Sequence, residues 1–188
     1  MDKNNPQQGA AVRNSGFTLI ELMVTIALLA ILIAAVAPSF RGLLLDNQAA
    51  TQANALVGSL MLARSEAIKR NVPVVVCRSN TGTTCAGAEW EAGWLVWPDT
   101  DRDGVLDADD GDGIPEAGEE MILEVQAALA GGFDLSATGS SVTYRPDGSI
   151  AGAADAFELV PPGADTDYGR CVALDATGRP KVTKGACP

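Results

Sequence analysis

Sixteen consecutive residues, Leu22 to Ala37, contain no charged side chain and a single polar one, Thr25. With the five residues ahead of them they form an apolar stretch from Phe17 to Ala37. As an α-helix rising about 1.5 Å per residue it is roughly 31 Å long, enough to cross the hydrocarbon core of a bilayer. The polar residues 1–15 precede it and include Lys3 and Arg13. That basic flank keeps the N-terminus cytoplasmic and exports the chain after Pro38. A cleaved secretory signal is the competing reading. It fits poorly, because the run is long and continues into a segment of helical periodicity. Glu21 is the odd residue, since a carboxylate near the start of a membrane helix is costly to bury and points to function.

The segment Gly16-Phe17-Thr18-Leu19-Ile20-Glu21-Leu22 resembles the prepilin signature of type IV pilins and pseudopilins. The resemblance implies that a prepilin peptidase cuts between Gly16 and Phe17 and that Phe17 is then N-methylated. It implies that Glu21 pairs with the N-terminal amine of a neighbouring subunit during assembly. An amine and a carboxylate meeting inside an apolar helix bundle relieve each other's desolvation. The chain then divides into a cleaved leader at 1–16, a transmembrane and assembly helix at 17–38, and a pilin-like periplasmic body at 39–188. Its partners are other pilins or pseudopilins, the peptidase and the inner membrane.

Past Pro38 the helix continues with a different character. Ala49, Ala53, Leu56, Val57, Leu60, Met61, Ala67 and Ile68 recur at steps of three and four, with Gln52, Asn54, Arg64, Glu66, Lys69 and Arg70 mostly between them. That is an amphipathic stripe able to lie on a sheet. Pro38 predicts a kink, and Asn71 and Pro73 end the helix. Short strand-like runs follow at 72–78, 93–97, 121–125, 142–145, 156–160 and 170–174, separated by Gly and Asp turns such as Pro146-Asp147-Gly148. The expected architecture is α+β, one long helix packed on an antiparallel sheet.

The order Leu62–Asn71, a strand ending at Cys77-Arg78, then Trp90 and Gly93-Trp94, resembles the FimT/GspH branch of minor pilins and pseudopilins. Arg170-Cys171-Val172 followed by Gly178-Arg179 and a last cysteine resembles its ending. Members serve type IV pili or the type II secretion pseudopilus, usually near the tip. From Arg170 onward the bases Arg170, Arg179, Lys181 and Lys184 face one acid, Asp175. Gly178-Arg179-Pro180-Lys181 resembles the Gly-Arg-x-Arg segment through which FimT-type pilins bind DNA. Lys181 replaces the second arginine and lacks its bidentate fork, so weak, sequence-indifferent binding of double-stranded DNA is the most it implies. A solvated hairpin turn is the other reading.

Four cysteines stand at 77, 85, 171 and 187. In an oxidising exported space they pair. Three connectivities are possible, and the local one, Cys77–Cys85 with Cys171–Cys187, is expected. Without a CxxC, a metal site of cysteines is the weaker alternative.

Residues 99–124 hold eleven acids against Arg102, which is nearly the whole of the chain's net charge of −11. Asp99, Asp101, Asp103 and Asp107 alternate around Gly104 as hard oxygen ligands do in an EF-hand-type calcium loop, with Asp110 at the twelfth position. Asp110 is one methylene shorter than the usual bidentate glutamate, and no flanking helices are expected. The alternative is an acidic, solvated insertion loop over 99–120.

Histidine is absent, which removes every Ser/His/Asp and Cys/His nucleophile arrangement and every imidazole metal site. No phosphate-binding loop occurs. An enzyme has no constellation to carry it, and no cofactor is required, calcium apart. The acidic pI near 4.3 argues against a general nucleic-acid binder. A structural subunit of a pilus or pseudopilus remains, with DNA binding as an added role and secretion alone as the alternative.

Overall fold

We describe residues 16–85, 87, 89–107, 120–152, 155–163 and 166–188 of a computed structural model, and only the backbone of residues 36–39. Residues 1–15 of the leader, the ring of Pro38 and Asp110 lie outside that set. The chain forms two compact units, one ending at Arg41 and one running from Gly42 to Pro188.

In the first unit helix starts at Leu19, two residues later than Phe17, and the backbone of α1 (Leu19–Arg70) is helical through residue 38. Among the described residues no single helix is long and apolar enough to cross a membrane. The stretches Leu19–Ala35 and Phe40–Arg70 meet the requirement of length and composition only together.

In the second unit α1 ends where expected. Asn71 adopts the left-handed conformation at φ 57°, and its N–H returns to Ala67 O at 3.0 Å. This is the αL termination that asparagine tolerates better than most residues. The buried stripe of α1 is Ala49, Ala53, Leu56, Leu60, Ala63 and Ala67, at steps of four and three. Met61 and Ile68, expected in the stripe, stand about half exposed. Four alanines in the stripe let the helix axis approach the strands closely.

Those strands make two four-stranded antiparallel sheets rather than one. The first sheet has β1 (Val74–Arg78), β2 (Gly93–Pro98), β3 (Glu124–Ala127) and β5 (Ser141–Tyr144), in the order β3-β2-β1-β5. The second has β4 (Asp134–Ala137), β6 (Ala156–Val160), β7 (Arg170–Leu174) and β8 (Pro180–Lys184), in the order β4-β6-β7-β8. The main core joins α1 to both sheets through Val74, Val76, Trp94, Val96, Leu135, Phe157, Leu159 and Val172. Trp90 meets Phe157 edge-on at 4.9 Å, and its indole N–H donates to Gly139 O at 2.8 Å.

β1 and β2 read as unbroken apolar runs because both of their faces are covered. Val75, Cys77, Leu95 and Trp97 form a second cluster on the outer face, capped by Leu106 and Ile122 from the two ends of the acidic segment. A polar chain threads the main core: Trp94 Nε1–H donates to Ser59 Oγ at 2.9 Å, and Ser59 Oγ–H donates to Glu124 Oε1 at 2.8 Å. It ties α1 to β2 and β3 at one register. Both disulfides are local as expected, Cys77–Cys85 and Cys171–Cys187, and no cysteine is free.

Candidate functional site

Thr18 sits just before the first helical residue and caps the helix with Glu21. The Glu21 N–H donates to Thr18 Oγ1 at 3.2 Å, and the Thr18 N–H donates to Glu21 Oε2 at 3.5 Å. Thr-x-x-Glu at a helix start is a capping box, which satisfies two otherwise orphan N–H groups. Glu21 thus has a local role beside the intersubunit one that the resemblance implies. Around it the helix is apolar on every side. Phe17 is 84% exposed, and Ile20, Met23, Val24, Ile31 and Leu32 are all more than half exposed. A helix that is hydrophobic all round and unburied within its own unit requires lipid or other helices around it.

The basic tail resolves into a different arrangement from the one its charges suggest. Arg170 is buried. One guanidinium nitrogen donates to Gly169 O at 2.9 Å and the other to Asp46 Oδ1 at 3.1 Å. Lys184 Nζ lies 2.8 Å from the same carboxylate and 5.6 Å above the Tyr168 ring. The Lys184 and Arg170 bonds hold the Asp46 carboxyl below the usual carboxylate range. Arg170 is thus engaged inside the body. It fastens β7 to α1, and Lys184 is engaged in the same cluster.

Arg179 and Lys181 are exposed, on a hairpin and on the edge strand β8. The turn between β7 and β8 is organised by Asp175. Its Oδ1 accepts from Thr177 Oγ1 at 2.6 Å, Thr177 N at 2.9 Å and Arg179 N at 3.0 Å. These bonds, the Thr177 hydroxyl foremost, lower the Asp175 carboxyl. Lysine and proline on an exposed edge strand repel a second strand that would pair there. That is a structural reason for Pro180 and Lys181 with no nucleic acid in it.

The acidic segment is described at its two ends. Its carboxylates form two trios with ligand oxygens within 4.8 Å of one another: Asp99, Asp101 and Glu120, and Asp101, Asp103 and Asp107. The expected single loop of Asp99, Asp101, Asp103 and Asp107 does not converge on one point, because Asp99 turns inward while Asp103 and Asp107 stay exposed. Glu120, far along the chain, supplies the third oxygen beside Asp99. No spacing motif marks a residue that joins a site by folding back. Burial, with Asp99 and Asp101 nearby, raises the Glu120 carboxyl above its usual value.

The profile of the family described as Type II transport protein GspH matches residues 52–178, more than half of the chain. The chain belongs to the GspH family. A second profile, the prokaryotic N-terminal methylation motif, matches residues 12–37 and so takes in Gly16, Phe17 and Glu21. GspH-family membership makes the chain a pilin-like structural subunit. Two solved structures resemble it at the level of fold. The type IV minor pilin FimU of Pseudomonas aeruginosa strain PAO1 is 18% identical, over 73% of this chain and 89% of that one, with a TM-score of 0.53. The minor pseudopilin EpsH from the type II secretion system of Vibrio cholerae is 14% identical, over 76% and 98%, with a TM-score of 0.50. No curated protein matches the chain.

Proposed function

We propose that this GspH-family chain is a minor subunit that is anchored in the inner membrane, cut between Gly16 and Phe17, methylated at Phe17, and built into a filament through its apolar helix. The observation that carries the reading is the helix from Leu19 to Ala35, apolar on all faces and opened by a single carboxylate. The match of residues 12–37 to a methylation motif supports the same reading. The second unit has a complete core of its own and stands as the exported body. Mass spectrometry of protein extracted from membranes of the native host should find a chain that begins with N-methyl-phenylalanine at position 17. An intact Met1 in cells with an active prepilin peptidase would refute the assignment.

DNA binding is not part of this proposal. Of the four tail bases, Arg170 and Lys184 are spent on Asp46, which leaves Arg179 and Lys181. Two phosphate contacts release too few counterions (a salt slope of about −1.8) to supply much affinity at physiological salt on an acidic body. Full-length protein in detergent should not retard double-stranded DNA at about 150 mM salt. Retardation that persists there and is lost in the double variant Arg179→Glu, Lys181→Glu would restore the DNA-receptor reading.

A further inference from the structure

We propose that Asp99, Asp101 and Glu120 bind a calcium ion that clasps the neck of the acidic segment against the outer face of the first sheet. Asp99 is 5% exposed and Glu120 3% exposed. Among the described residues, Asp99 Oδ1 and Glu120 Oε2 are buried with no hydrogen-bond partner. The other Glu120 oxygen, Oε1, accepts from the Thr100 N–H at 2.6 Å and from the Thr100 hydroxyl at 3.4 Å. Among the described residues no lysine or arginine forms an ion pair with any of the three carboxylates.

Two carboxylates side by side, each with a dry and unpartnered oxygen, are among the costliest groups a fold can retain. A cation removes the cost by taking both lone oxygens as ligands. One carboxylate oxygen from each of Asp99, Asp101 and Glu120 lies within 4.8 Å of the other two, the span across an ion with metal–oxygen bonds of about 2.4 Å. The donor set is oxygen only. With no histidine and no free thiol, it suits a hard ion and not zinc. Calcium suits it better than magnesium, because exposed Asp101 and a site joined from two chain segments offer an irregular shell, where magnesium demands a near-ideal octahedron.

Backbone geometry places the ion at a joint. The Asp99 N–H donates to Pro73 O at 2.9 Å, and the Glu120 N–H donates to Asp107 O at 2.7 Å. Leu106 and Ile122, which cover Val75, Leu95 and Trp97, are carried by those same two chain ends. Binding therefore holds the apolar lid on the outer cluster. Three carboxylates completed by water give an affinity of about 0.1–1 mM, that of extracellular calcium modules.

The test is thermal melting of the full-length chain in detergent, stripped with chelator and titrated with calcium chloride, followed by tryptophan fluorescence because Trp97 lies under the lid. A tenfold excess over the dissociation constant raises the melting temperature by about 3–6 °C. Glu120→Gln loses that response and melts no lower than the wild type without calcium, since the amide relieves the repulsion. Asp101→Asn, at an exposed position, keeps the calcium-free melting temperature and weakens the response about tenfold; it decides the matter if Glu120→Gln does not fold. No rise at about 10 mM calcium, an equal rise with magnesium, or a wild-type response in Asp101→Asn overturns the site. None of these outcomes depends on filament assembly.

Discussion

Glu21→Ala stays in the membrane and drops out of the filament. The substitution makes the helix more apolar, so insertion should be unaffected, while in the assembly that the prepilin signature implies the amine of a neighbouring Phe17 would lose its counter-charge. Removing one partner of a desolvated pair leaves the other charge unpaired, and the penalty corresponds to a loss of incorporation of about tenfold or more. The capping box makes a sharper experiment possible. Glutamine serves at the third helical position as glutamate does, so Glu21→Gln keeps the bond to the Thr18 N–H and deletes only the charge. Thr18→Val does the reverse, deleting the hydroxyl that accepts from the Glu21 N–H and keeping the carboxylate. Counting subunits in sheared filaments by immunoblot separates the two roles. Glu21→Gln should fail like Glu21→Ala, and Thr18→Val should assemble. Normal assembly of Glu21→Gln would show that the cap, not the charge, is what the filament requires.

The elements most legible in the sequence are those whose signal is local. The end of α1 at Asn71, the two disulfides, and strands such as Val74–Arg78 and Arg170–Leu174 are written in side-chain type and spacing. β4 (Asp134–Ala137) and β8 (Pro180–Lys184) were not expected as strands, for a common reason. Both are edge strands paired on one side, β4 half exposed and β8 almost wholly so, and they lack the apolar run or clean alternation that marks a buried strand. The division into two sheets was equally hidden, because pairing between β4 and β6 or between β5 and β1 is a long-range choice.

At the sites the same limit applies. Alternating aspartates announced a cation loop, yet the residue that meets Asp99 is Glu120, brought by chain reversal. Net charge was the least reliable guide of all. The tail's bases read as one patch, and folding distributed them between an ion-pair cluster on Asp46 and an edge strand.

Gly178→Ala should be among the most damaging single substitutions in the body, and Arg179→Ala beside it among the mildest. Gly178 has φ 75°, a left-handed conformation that costs an alanine about 1–2 kcal/mol. A Cβ there would press into the carbonyl oxygen of Gly148 and come within 2.7 Å of the Tyr144 ring. Neither neighbour can retreat cheaply. Gly148 lies in the turn whose N–H returns to Arg145 O at 2.8 Å, and its own carbonyl accepts from Arg64 Nε at 3.0 Å. The Tyr144 side chain is fully buried in the main core. Forcing extra volume into such a site adds about 1–3 kcal/mol, for a total of about 2–5 kcal/mol. For a chain of this length that lowers the melting temperature by roughly 4–20 °C. Arg179 is exposed, and the bond its backbone N–H makes to Asp175 survives truncation of the side chain, so Arg179→Ala should shift melting by no more than about 1–2 °C. Differential scanning calorimetry of both variants measures the contrast. If Gly178→Ala melts with the wild type, the close packing of the hairpin on Tyr144 is not a feature of the protein in solution, and Gly178-Arg179 regains a functional rather than a structural meaning.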